Sequence, residues 1–337
     1  MIFISVIITA YNRKEYLIKA LESVLNQSLN RKYYEIIVIK NFAEDKIDSF
    51  LLDNNIKNII MDSPEGDYIL KGMEEATGEI ISFLDDDDIF HREKLEYLYE
   101  IFNKHPDLIY FHNAHLDIDD NDNLLKLNVN NTSSENFNDF IIDQKDNKSI
   151  ILGLRHSADF NLSSISISKS IKNAEYIKHI SRMTDSSIFY LALANNGTVY
   201  ISSKRLTKIR FHVSTSRLSI EDDESLINSF KKSMPTKTLE MLNNYFQNYS
   251  FYPIIKCNFY SNILLQQIIE NNYSNFLRNI KNFAKCSLLI NFKERLPFLI
   301  LYIISYILRS NKIFIKIYRM RVNNFRNSIK ISKDDQE

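Results

Sequence analysis

The 337-residue chain contains no tryptophan, two cysteines, five glycines and five prolines. Cys257 and Cys286 stand 29 positions apart, with no CxxC spacing and no histidine close to either. That arithmetic argues against a disulfide framework and a structural zinc site, and leaves two reduced thiols in the core or on the surface. Glycine is missing from TAYNRKE, the stretch after the first apolar run. The Gly-rich phosphate loop that a nucleotidyltransferase would normally carry there is therefore absent. No stretch of about 18 uncharged apolar residues occurs, so no bilayer span is predicted. The opening residues MIFISVIITAYN lack a basic start and a small-residue cleavage site, and read as a first strand instead of a signal peptide. Neither sign of charge dominates, with 42 Lys and Arg against 42 Asp and Glu.

Hydrophobic residues at 45% and charged residues at 25% place the chain among globular proteins and not disordered ones. The length suits one large domain or two ordinary ones. The zero balance conceals a split. Residues 275–337 hold 13 Lys and Arg against four Asp and Glu, a balance of +9, and the preceding 274 residues hold 29 against 38, a balance of −9. An acidic body carries a basic tail.

The body alternates between two periodicities. IFISVIIT at 2–9, YEIIVI at 34–39, IKNII at 56–60 and the run 79–84 read as strands. Helices are predicted near 17–25, 46–52, 67–77 and 91–104, and LIYFHN after them is another strand. Asn12 with Glu15 three residues later suggests an N-cap and capping box for the first helix. Residues 117–150, rich in Asn and Asp, read as an irregular insertion. SSISIS at 163–168, TVYIS and RLTKIRFH then read as strands, and 184–195 as a helix. Such alternation predicts a mainly parallel sheet with helices on both faces. Ligands of such sheets bind beyond the strand carboxyl ends. TAYNR and the four aspartates of GEIISFLDDDDIF, residues 78–90, fall at that edge.

Four adjacent carboxylates repel, and burying them is costly unless they are paired or bound to a cation. Oxygen-only ligands beside a substrate diphosphate suit magnesium or manganese. The plain alternative is a solvated acidic loop in which Asp88 or a neighbour caps a helix.

SVIITAYNR, ALESVLNQSL, YEIIVI, GEIISFLDDDDIF and KLEYLYEIF occur in order, and together they resemble the family 2 glycosyltransferases of GT-A fold. The resemblance is strong over residues 3–112, moderate over 160–217 and absent after about 220. It implies an α/β GT-A catalytic domain at 1–220, with a nucleotide-binding half at 1–112 and an acceptor half at 113–220. A helical, basic and amphipathic region follows at 221–337. It also implies an inverting transfer from a nucleoside-diphosphate sugar to a glycan or polyprenol-linked acceptor, with Mn2+ or Mg2+. Thr9, Ala10, Tyr11 and Arg13 would line the nucleotide pocket. Asp85 and Asp86 would contact the donor, and Asp87 would bind the metal. Asp185, in RMTDSSIFYLALANNG, takes the position of the catalytic base. Arg210, His212 or Ser216, in IRFHVSTSR, would reach the diphosphate, His212 also as a metal ligand. The sequence departs from the family pattern in three places. Lys40 and Asn41 replace the two aspartates after the second strand, leaving Asn41 to meet the base. Ile69 and Leu70 replace an Arg-Asn pair, leaving Lys71 as the local positive charge. Thr184 precedes Asp185 where glutamate is usual.

Residues 225–290 have helical periodicity and many aromatics. LPFLILYIISYIL at 296–308 is too short to span a bilayer. Beyond it, Phe314, Tyr318, Val322, Phe325 and Ile329 recur at helical spacing, with Lys312, Lys316, Arg319, Arg326 and Lys330 on other faces. A basic amphipathic helix of this kind favours an anionic membrane surface, here the cytoplasmic face. A packed helical subdomain is the alternative. No nucleic-acid module is present. The leading function is therefore an inverting glycosyltransferase. A non-catalytic GT-A-like binding or partner subunit is the second reading, favoured by the lost aspartates and opposed by Asp87 and Asp185.

Overall fold

In the computed structural model, which describes residues 3–125, 137–212, 220, 222–290 and 292–320, the strand β1 (Ile4–Ala10) is buried along its whole length. Its β-branched side chains alternate between the two faces of the sheet, and helices cover both. Val6 and Ile8 join one core cluster with Leu17, Ala20, Leu21 and Val24 of α1 (Leu17–Leu25), Ile47 and Leu51 of α2 (Asp45–Asp53), and Leu95 and Leu98 of α4 (Lys94–Lys104). Ile7 points the other way, onto α3 (Glu65–Glu75), where a Cβ on Gly72 would lie 2.6 Å from its Cγ2. Period-2 alternation thus packs both faces of one strand.

Around β1 lie β2 (Tyr34–Lys40), β3 (Lys57–Ile60) and β4 (Ile80–Asp85), all in parallel pairing. The sheet continues through β8 (Ile165–Ser168), β6 (Leu108–Ile118), β9 (Thr198–Arg210) and β5 (Ile89–Phe90), in the order β3-β2-β1-β4-β8-β6-β9-β5, and β7 (Phe140–Ile141) pairs with β9. Its second half is mixed. β8 runs antiparallel to β4 and β6, whereas β6 and β9 are parallel. The helix α6 (Thr184–Ala194) accompanies this half, and α5 (Asn147–Arg155) follows β7 along the chain.

Three local expectations are corrected. TVYIS and RLTKIRFH are one strand, β9, interrupted by a register shift against β6 at Asn113 and Ala114. Asp139 pins that irregularity by accepting bonds from the N–H and Oγ of Ser203, each at 2.7 Å. The segment read as an irregular insertion therefore contributes a strand, the start of a helix and a structural carboxylate. The capping box is not formed. The first helix starts at Leu17 without a side-chain cap, and Asn12 lies in a left-handed turn at φ 57°, held by a partner from another strand end.

The chain divides into two compact units. The first holds the sheet and α1–α4 and α6. The second holds residues 144–151 and the helices α7 (Asp223–Ser233), α8 (Thr236–Tyr245), α9 (Tyr252–Ile269), α10 (Phe276–Ile290) and α11 (Phe292–Leu308). α9, α10 and α11 share a core of Leu264, Ile268, Phe276, Phe283 and Tyr302. Both cysteines lie in that core as free thiols. Phe314 and Tyr318, expected to face a membrane, pack edge-on against Phe230 of α7, with ring centroids 5.3 and 4.9 Å away. Arg319 pairs with Asp223 at 3.0 Å. Val322, Phe325, Arg326, Ile329 and Lys330 lie outside the described residues, as does Ser216. Among the described residues no helix is long and apolar enough to cross a membrane.

Candidate functional site

Parallel register brings the strand ends together. Thr9 stands opposite Asp85, and Ala10 opposite Lys40. The loops that leave these strands are tied to one another. The Asn12 N–H donates to Asn41 Oδ1 at 2.8 Å, and the Asn41 amide donates back to Asn12 Oδ1 at 2.9 Å. Tyr11 is 57% exposed beside this pair, with its ring 6.3 Å from that of Tyr68. A large aromatic left open at a sheet edge offers a stacking face. Lys40 lies beneath, fully buried, with its ammonium 2.7 Å from Asp48.

The four aspartates divide their tasks. Asp85 ends β4, its carboxylate 3.5 Å from the Thr9 hydroxyl. Asp86 and Asp87 are gripped together by Arg13, whose Nη2 is 2.5 Å from Asp86 and whose Nη1 is 2.6 Å from Asp87. Asp88 points inward, where it accepts from the Arg210 N–H at 3.0 Å and from the Asn161 amide at 2.9 Å. Desolvation raises Asp85, Asp86 and Asp88. Asp85 is pushed well above the usual range by desolvation and then by Asp88 and Asp87. Asp86 is pushed up to about 6 by desolvation, opposed by Arg13. Asp88 is pushed up to about 6 by desolvation and then by Asp87. Behind the turn, Lys94 is fully buried. It donates to the Ser163 carbonyl and, at 3.0 Å, to Thr207 Oγ1.

Asp185 sits in the first turn of α6. Its Oδ1 accepts the Ser186 N–H at 2.8 Å and its Oδ2 the Asn161 N–H at 3.0 Å. Desolvation raises its pKa while these N–H groups lower it. Two further carboxylates crowd it. Glu65, at the start of α3, accepts from Thr184 Oγ1 at 2.9 Å and is raised by desolvation and by Asp185. Asp159 is pushed up to about 7 by desolvation and by Asp185, against a bond from Ser186 Oγ at 3.1 Å. Gly66 makes the Glu65 contact possible, because a Cβ there would lie 2.0 Å from the Ile177 carbonyl oxygen.

The structure thus gathers Thr9, Ala10, Arg13, Asn41, Asp85, Asp86 and Asp87 at one edge, with Tyr11 beside them, and links Asp185 to them through Asn161 and Asp88. Lys71 is not among them. Its ammonium is 2.7 Å from Glu75 near the end of α3, and Glu75 also pairs with Lys57 at the start of β3, away from the strand carboxyl ends. Arg210 is a clamp with no free face. It donates to the carbonyls of Asp87 at 3.0 Å and Asp119 at 2.7 Å, pairs with Asp122, and stacks on Tyr16. His212 lies two residues beyond β9 and begins the last segment of the second unit, His212–Glu337. Among the described residues no three His, Cys, Asp or Glu converge as a finished metal site. The carboxylate oxygens at this turn are of the kind that would suit a hard dication, and among the described residues Asp86 Oδ2 is buried with no hydrogen-bond partner. Glu65, Lys94, Asp159 and Asn161 were not predicted from the sequence. Only Glu65 had a local signal, the rare glycine beside it at a helix start.

Residues 5–160 match the family described as Glycosyl transferase family 2. Glycosyltransferase AglE of Haloferax volcanii is 33% identical over 101 residues, 28% of this chain and 33% of that relative. Poly(ribitol-phosphate) beta-N-acetylglucosaminyltransferase TarP of Staphylococcus aureus is 29% identical over 103 residues, 28% of this chain and 32% of its own. These matches therefore span about a third of each relative's length. The crystal structure of S. aureus TarS 1-349 in complex with UDP-GlcNAc shares the fold at TM-score 0.53 and 13% identity, over 85% of this chain and 90% of that one.

Proposed function

The chain belongs to glycosyl transferase family 2 through residues 5–160, and we propose that it moves a sugar from a nucleoside-diphosphate donor to a glycan or polyprenol-linked hydroxyl with inversion at the anomeric carbon. The observation that carries this reading is the linkage, inside one unit, of the acidic turn at Asp85–Asp88 to the Asp185 carboxylate. The nucleotide lies along Thr9, Ala10, Tyr11 and Asn41, with Tyr11 stacking on the base and the Asn41 amide within reach of it. Asp85 and Asp86 hold the donor. Arg13 balances the turn and lies nearest the diphosphate. Arg210 keeps the turn in shape from behind. Asp185 accepts the proton of the acceptor hydroxyl as its oxygen attacks the face opposite the diphosphate, a single displacement that inverts configuration. Asp87 is the proposed ligand of Mn2+ or Mg2+. The ion supplies positive charge to the leaving diphosphate when bound.

UDP-GlcNAc is the first probe, since the TarS structure holds it. Titration calorimetry of the full chain with UDP-GlcNAc and a panel of other nucleotide sugars, with Mn2+ present, is the direct test. Metal-dependent binding of one donor, lost in Asp87→Ala, is expected. Binding of none would favour the non-catalytic reading.

The second unit supports a membrane-proximal acceptor. Ile300, Ile303, Ile304, Ile307 and Leu308 recur on one side of α11 and are 39–68% exposed. With the +9 balance of residues 275–337, this apolar stripe suits peripheral attachment to an anionic, cytoplasmic leaflet. The intact chain should co-sediment with phosphatidylserine-containing vesicles at low salt, and added salt should weaken attachment only in part. Failure to sediment even at low salt leaves α11 as a protein-binding or packing surface.

A further inference from the structure

We propose that Asn161 is a positioning residue that ties the Asp185 carboxylate to the acidic turn through Asp88. The inference rests on the reading of Asp185 as the base. Asn161 precedes β8 and holds a left-handed backbone, φ 63°, a conformation that a non-glycine residue keeps only when its surroundings enforce it. Two bonds enforce it. The Asn161 N–H donates to Asp185 Oδ2 at 3.0 Å, and the side-chain amide donates to Asp88 Oδ2 at 2.9 Å. One residue therefore bridges carboxylates 97 positions apart in sequence. Among the described residues its own Oδ1 is buried without a partner, and Asp88 orients the amide. Two residues on, Ser163 Oγ accepts the Asp85 N–H at 2.9 Å, which fastens the same segment to the end of β4.

The role is chemical as well as mechanical. Glu65 from α3, Asp159 from the preceding loop and Tyr110 from β6 face Asp185 electrostatically. None of them donates a hydrogen bond to its carboxylate. The stabilising N–H groups are those of Ser186, Asn161 and Asp185 itself. Of these only Asn161 comes from another segment, and loosening it lets the base titrate higher.

The test is the variant Asn161→Gly in the full chain. Glycine keeps the N–H and tolerates the positive φ, but deletes the amide that reaches Asp88. With 13C-carboxyl-labelled aspartate, and the Asp185 resonance assigned from Asp185→Asn, the Asp185 midpoint is expected to rise by about half a pH unit or more. Under a donor that turns over, kcat falls about tenfold with KM for the donor unchanged, as expected for a misplaced base. An unmoved Asp185 midpoint overturns the proposal. If wild type turns over no nucleotide sugar, it is the reading of the base that fails, and the titration still decides the coupling. Should the variant not fold, amide exchange in wild type decides. The Asn161 N–H is expected to exchange at least about 100-fold slower than an open amide, and free exchange overturns the bond to Asp185.

Discussion

The two units present opposite anomalies. In the first, polar groups are buried where the strands end. Asp86, Asp87, Asp88, Lys94 and Arg210 are all buried, and each has a partner of opposite charge or a hydrogen bond. In the second, large apolar groups are exposed, with Leu288, Leu289 and Ile307 each about two-thirds open. A buried charge and an open apolar stripe are the two surface features that carry information, because an ordinary fold avoids both. The first anomaly is closed by internal partners. The second, among the described residues, leaves an apolar stripe of α11 exposed.

Four measurements break or sharpen this contrast. The largest effect is expected in the sheet core. Phe83→Ala, at a fully buried position of β4, should lower stability by about 3–5 kcal/mol in denaturant unfolding. A loss under 1 kcal/mol would mean that the strand carrying the acidic turn is not held as described. Next is Asp185→Asn. Turnover should fall by about 100-fold or more while donor affinity stays within about twofold. Unchanged turnover would assign the proton to another group, with Glu65 and Asp159 the carboxylates that face Asp185.

The third concerns pH. The carboxyl of Asp159 is pushed up to about 7 by desolvation and by Asp185. Its folded form therefore holds a proton that the unfolded chain releases near pH 4. Its contribution is full below that pH and is lost as pH rises through about 7. Asp159→Asn should match wild type near pH 4 and exceed it by about 1–3 kcal/mol at pH 8. Equal stability of the two at pH 8 would contradict the crowding of Asp159 by Asp185. The smallest effect is expected on α11. Ile307→Lys with Leu308→Lys should leave unfolding free energy within about 0.5 kcal/mol, and should reduce vesicle sedimentation if the stripe meets a membrane. A large loss of stability instead would show these side chains to be core.

Much of the first unit was legible along the chain. The β-branched runs of β1, β2 and β4 specify buried parallel strands, because only a sheet covered on both faces buries consecutive apolar residues. The helical spacing of Leu17, Ala20, Leu21 and Val24 marks the buried face of α1. The acidic turn is legible because four aspartates after such a strand must lie at a solvent or ligand edge. Motif order places Asp185 at the start of a helix, and α6 does begin at Thr184. Local chemistry misled at Asn12, which has capping-box spacing but is held in the site loop by Asn41, whose place beside it exists only after β1 and β2 pair.

What the sequence by itself determined is the alternation of elements, the acidic edge and the identity of the carboxylates offered there. Only the tertiary structure decided which of them meet. Asp88 turns inward because Asn161 and the Arg210 N–H await it, and Arg210 is a clamp because Asp87, Asp119 and Asp122 surround it. Glu65 meets Thr184 across 119 residues. Phe314 and Tyr318 lie against α7, and among the described residues an exposed apolar stripe runs along α11. The physical reason is common to all of these. Periodicity records which side of an element is apolar, a property of near neighbours in sequence. Hydrogen-bond satisfaction and the burial of charge depend on which distant segments meet.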